Sequence, residues 1–114
     1  MLKSIPELLN EAAKGLRLID AKTAKQEIES NDGLLIDVRE PAEHQVKPAN
    51  GAINIPRGLL EMKMLELEKD PARPIYLHCA TSARAKLSAE ALTRIGYENV
   101  SVVTCDMDTI KQHF

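Results

Sequence analysis

The spacing of apolar positions along this chain changes several times, and each change marks an element. Ile5, Leu8, Leu9 and Ala12 recur at helical intervals, so residues 4–14 predict a helix with Gly15 as its stop. Leu16 to Ile19 predicts a short strand. Asp20 is placed to cap a helix over Ala21 to Ser30, which carries Ala24 and Ile28 on one face. Asn31-Asp32-Gly33 reads as a turn. Leu34 to Val38 is almost continuously apolar, as a strand covered on both sheet faces should be.

The second half repeats the alternation. Glu40 to His44 predicts one or two helical turns, with Pro41 tolerated at the start, and Lys47 to Gly51 predicts a loop. Ala52 to Ile55 is a short strand stopped by Pro56, and Gly58 to Lys69 a helix with Leu60, Met64 and Leu67 on one side. Asp70 to Pro74 connects to a strand over Ile75 to His78. Arg84 to Ile95 is the strongest helix, with Leu87, Ala91 and Ile95 in line and Gly96 as its stop. Val100 to Val103 is the last strand, and Asp108 to His113 a short terminal helix. Repeated β–α–β units with covered strands predict an α/β fold, a mostly parallel sheet with helices on both faces. Ligands of such sheets bind beyond the carboxyl ends of the strands.

Composition narrows the function classes. The 114 residues suit one domain large enough for its own core. Apolar residues make up 44% and charged residues 28%, the balance of a soluble globular protein. Fifteen basic and seventeen acidic residues are spread along the chain for a net charge of −2. With no basic stretch, one Phe, two Tyr and no Trp, a nucleic-acid partner is not expected. No apolar run nears membrane-spanning length and the first residues lack secretory-signal character, so no membrane association and a cytoplasmic location are expected. Cys79 and Cys105 are too few for a disulfide framework, match no zinc spacing and imply neither a metal nor an organic cofactor.

The chemistry concentrates where the Ile75–His78 strand ends. Cys79-Ala80-Thr81-Ser82-Ala83-Arg84 joins that strand to the strongest helix. A thiol in this loop has backbone N–H groups, a helix N-terminus and a guanidinium beside it. All three favour negative charge on sulfur, so Cys79 is a candidate nucleophile.

Four blocks in order then resemble the single-domain rhodaneses, a family of sulfurtransferases. They are Leu35-Ile36-Asp37-Val38-Arg39-Glu40-Pro41, Gly51-Ala52-Ile53-Asn54-Ile55-Pro56, the Cys79-to-Arg84 loop, and Gly96-Tyr97-Glu98-Asn99-Val100. The resemblance implies a rhodanese-like, five-stranded parallel sheet flanked by helices, spanning residues 16–114, with residues 1–15 as a helix packed on or leading into it. It also implies that Cys79 carries a sulfane sulfur as a persulfide. The donor would be thiosulfate or another small or protein-bound persulfide, and the acceptor a thiophile such as cyanide or a thiol. Ala80, Thr81, Ser82, Ala83 and Arg84 would form the anion-binding loop. Four residues intervene between Cys79 and Arg84, which resembles the compact sulfur-transfer type rather than the wider five-residue cradle suited to phosphate or arsenate.

The chain also departs from the family pattern. Ser82 stands where Gly is common, and should cost about 1 kcal/mol if the loop needs a positive φ there. Ala80 stands where a basic or polar residue is frequent, Cys105-Asp106 replaces a Gly-Gly pair, and Lys47-Pro48-Ala49-Asn50 does not carry His and Pro at their usual places before Gly51. Asp37, Arg39 and Cys105 are accessory candidates. The first two suit fixing a turn by hydrogen bonds and a salt bridge, and Cys105 either a resolving thiol beside Cys79 or a small packed residue. Alternation turns His78 to the face opposite Cys79, and His44 and His113 are expected at the surface. A binding or sensing module with weak turnover, and a thiol redox or arsenate/phosphate enzyme, remain as alternative readings.

Overall fold

The computed structural model describes the whole chain, Met1 to Phe114. Ser4 starts α1 (Ile5–Ala13) by accepting the Glu7 N–H, with Pro6 in the first turn, where a missing N–H costs nothing. After β1 (Arg17–Ile19), Asp20 starts α2 (Ala21–Asn31) in the same way, through Thr23 N–H at 2.8 Å. Asp32 ends α2 in the left-handed conformation at φ 57°, which Asp tolerates better than most residues. β2 (Leu34–Asp37) follows, then α3 (Pro41–Val46), whose first turn is closed by reciprocal bonds between Glu40 and Glu43.

α1, β1 and β2 lose an expected residue at one or both ends, and two further elements come out shorter. The Ala52–Ile55 strand is β3 (Ile53–Asn54), and the Gly58–Lys69 helix is a 3₁₀ turn (Arg57–Leu59) running into α4 (Leu60–Leu67). β3 is an edge strand with one neighbour, and Pro56, which has no N–H to give a ladder, closes it. β4 (Ile75–His78), α5 (Ala83–Ile95), β5 (Val100–Val103) and α6 (Met107–His113) lie within a residue of expectation. Gly96 ends α5 at φ 120°, a conformation closed to a side chain without strain.

The strands form one parallel sheet in the order β1-β5-β4-β2-β3. Alternation then sorts the core. Ile36, Val38, Ile75, Leu77, Cys79 and Val102 face α4 and α5, against Leu60, Met64, Ala85, Ala89 and Leu92. Leu35, Tyr76 and Val103 face α2 and α6, against Ala21, Ala24, Met107 and Ile110. Helix α1 packs against α5, leaving α5 between α1 and the sheet. No helix is long and apolar enough to cross a membrane.

Candidate active site: an uncapped helix start at the end of β4

β4 and β2 run side by side in register, Asp37 opposite His78, so the turns leaving them emerge together at the carboxyl edge of the sheet. Cys79 is fully buried beneath its loop. Its Sγ lies 3.4 Å from the backbone N of Ala85, in the first turn of α5. The N–H groups of Ala80, Thr81, Ser82, Ala83 and Arg84 make no hydrogen bond inside the protein. They are the donors that a loop and a helix start leave over, and an anion is their natural partner.

Ser82 explains how the loop makes room for this arrangement. It occupies the N-cap position of α5 at φ 70°, ψ −9°, so the positive φ that suits Gly is kept although the residue is Ser. Its hydroxyl makes no capping bond to the helix. The cap is therefore absent at the helix start that lies against Cys79.

Arg84 is placed less simply than the sequence suggests. Its guanidinium is clamped by Glu43 of α3, Nη1 to Oε1 at 2.6 Å and Nη2 to Oε2 at 3.0 Å. The bidentate ion pair holds the Glu43 carboxyl down to about 2 and raises Arg84 above its ordinary value. Arg84 also responds to the charge of Cys79, a weaker influence in the same direction. Glu43 is the residue that sequence reasoning missed. It sits 41 positions from Arg84, and only the meeting of two turns at the sheet edge reveals the pair.

Asp37 and Arg39 brace that meeting. Arg39 donates from N and Nε to Asp37 Oδ1, both at 3.0 Å, and from Nη2 to Oδ2 at 2.8 Å, and its Nη2 also reaches the Lys47 carbonyl at 2.7 Å. Both side chains are buried. Burial alone would raise the Asp37 carboxyl, but the bonds from Arg39 outweigh it and hold it below its usual value. Their role is to fix the turn that carries α3 and Glu43.

His44 is not a free surface residue. Its Nδ1 lies 2.9 Å from Asp37 Oδ2, because the single turn from Pro41 folds back over the end of β2. His78 is buried on the face away from Cys79, and neither ring nitrogen has a hydrogen-bond partner. Burial pushes it down to about 4, against the pull of Asp37. Cys105 is half-buried against the core of the α2/α6 face, with its Sγ 3.3 Å from the Ala21 N–H. Cys79 belongs to the core of the other face, so the sheet does not bring the two thiols into one pocket.

Beside the loop opens a hollow of about 440 Å³ whose charged lining is Glu40, Arg57, Glu61 and Arg84. A hollow of similar size at the amino edge of the sheet differs in kind. There Arg17 pairs with Glu27, Tyr76 donates to Glu27 at 2.7 Å, and Asn31 donates to Tyr76 at 2.9 Å, so its polar groups are partnered by one another. No group of three or more His, Cys, Asp or Glu side chains is placed to hold a metal ion.

Comparison with known proteins gives the family. A sulfurtransferase of Allochromatium vinosum is 31% identical over 83 residues, covering 72% of this chain and 76% of that protein. "Putative sulfur carrier protein YrkF" of Bacillus subtilis is 28% identical over 92 residues, 80% of this chain and 49% of that one. The chain thus spans about half the length of YrkF, and likewise of a second Bacillus subtilis relative, YqhL. Among solved structures, the polysulfide-sulfur transferase homodimer of Wolinella succinogenes superposes with a TM-score of 0.74 at 27% identity, covering 90% of this chain and 78% of that one. The rhodanese-like domain model matches residues 20–113, and the chain belongs to that family.

Proposed function

We propose that the protein is a sulfurtransferase in which Cys79 accepts a sulfane sulfur and passes it on. The observation that carries this reading is the Cys79 Sγ held at the uncapped start of α5, next to five consecutive N–H groups without acceptors. In the first half-reaction the Cys79 thiolate attacks the outer sulfur of the donor. The donor's S–S bond breaks, its electron pair leaves with sulfite or a thiolate, and a Cys79–S–S⁻ persulfide remains. In the second, a thiophilic acceptor attacks the outer sulfur and the Cys79 thiolate departs.

The protein's own groups serve this exchange in two ways. The loop amides offer hydrogen bonds to the terminal sulfur, whose negative charge persists through both half-reactions. Burial of Sγ beneath the loop limits approach to a single sulfur atom at a time. His78, turned to the other face, and Cys105, in the other core, take no part in the transfer. The two free thiols suit a reducing compartment such as the cytoplasm.

Intact-protein mass after exposure to thiosulfate or an organic persulfide, then cyanide, tests the reading. Wild type and Cys105→Ser should gain one sulfur and lose it as thiocyanate, and Cys79→Ala should gain none. A folded, reduced wild type that takes sulfur from no donor would overturn the proposal.

A further inference from the structure

Resting on that sulfur-transfer reading, the geometry points to Glu43 as the residue that sets the donor class: by clamping Arg84 it withdraws the loop's one cation, so the cradle takes sulfur from a singly charged persulfide in preference to dianionic thiosulfate. Four observations converge on this. The clamp is bidentate, so the guanidinium face that matches an oxyanion is already filled by a carboxylate. Glu43 is itself held in place, accepting the Glu40 N–H at 3.1 Å within the closed first turn of α3. The second loop position, Ala80, offers no side-chain charge. The buried guanidinium of Arg39 is bonded to Asp37 and turned into the core.

The surroundings add repulsion. The mouth beside the loop carries Glu40 and Glu61 with Arg57. With the Glu43–Arg84 pair, three carboxylates stand against two guanidiniums. What still attracts negative charge is the set of loop N–H groups, partial charges of short reach that suit one terminal sulfur. They favour R–S–S⁻, which brings its single charge on that sulfur. Thiosulfate must also seat a sulfonate, but the loop's own guanidinium is already taken by Glu43, and Arg57 on the wall of the hollow is outnumbered by Glu40 and Glu61. Either donor gives the same balanced step: Cys79–S⁻ becomes Cys79–S–S⁻ while a thiolate or sulfite leaves.

The test is single-turnover loading of the reduced protein, read as gain of one sulfur on Cys79, with three donors of graded charge. Thiosulfate is doubly negative, 2-mercaptoethanol persulfide singly negative, and cysteamine persulfide net neutral when its persulfide is ionised. Glu43→Gln keeps an acceptor for the Glu40 N–H and removes the charge. It should speed thiosulfate loading on the order of tenfold, mercaptoethanol persulfide about threefold and cysteamine persulfide by less than about twofold. Equal factors for all three donors would overturn the assignment while leaving sulfur transfer intact. No loading from any donor would instead remove the reading beneath it. A salt titration of wild type needs no variant: thiosulfate loading should accelerate with ionic strength as repulsion is screened, and a deceleration would overturn the proposal.

Discussion

The two cysteines lie past the ends of neighbouring strands, β4 and β5, and each thiol meets a backbone N–H in the first turn of a helix, at 3.4 Å for Cys79 and 3.3 Å for Cys105. They differ in what else those helix starts hold. Beside Cys105, α2 is capped by Asp20 and α6 by Asp106, whose carboxylates accept from Thr23 and Thr109. The negative charge that a helix start favours is already built in, and both carboxyls are held below their ordinary values by those hydrogen bonds. At Cys79 the cap position belongs to Ser82, which makes no cap bond. A helix start beside a thiol has donors to spare for an anion only where the protein has left its own anion out.

Three changes would break or sharpen that contrast. The largest effect concerns His78, the neighbour of Cys79 that faces the other way. Its folded value of about 4 lies below the ordinary 6.5, so the unfolded chain binds the extra proton first as pH falls. Its contribution is whole above about pH 6.5 and is lost on the way down to about pH 4, a span of up to about 3 kcal/mol. Denaturant melts of wild type should weaken across that window. His78→Phe should flatten the slope, and an unchanged slope would place the titration on a group other than His78.

The capping difference gives the next effect. Asp20→Ala and Asp106→Ala should each cost about 1 kcal/mol, whereas Ser82→Ala removes no cap bond and should cost far less. A loss at Ser82 equal to those at the aspartates would mean that its hydroxyl caps α5 after all. Ser82→Gly should give a modest gain rather than a loss. Relief of a left-handed conformation is worth roughly 1–2 kcal/mol, and the greater freedom of unfolded Gly takes back roughly 0.5–1. A gain of about 0.5–1 kcal/mol in chemical denaturation should remain.

The sequence made the strands and their order of appearance legible because covered parallel strands are read from local runs. Asp20 and Gly96 were equally plain, since caps act within a few residues. The loop and its thiol were legible too, from the change of period at Cys79. Glu43 and His44 were not. Each acts through a contact made only when α3 folds over the sheet edge, and nothing local distinguishes them from solvated residues of a short helix. Cys105 lay between these cases. Two positions beyond Val103, it shares that residue's face, so counting by twos separates it from Cys79, whereas its place in a loop beyond the same sheet edge suggests proximity.

The sheet's borders have a consequence for how the molecule behaves in company. Its outermost strands, β1 and β3, are three and two residues long, the first with Arg17 tied to Glu27 and the second closed by Pro56. Such stubs offer an incoming chain few rungs to grip, which disfavours growth of ribbons side by side through their backbones. Crowding at high concentration, or tethering as one bead among others on a longer chain, therefore meets little invitation to pair edge to edge.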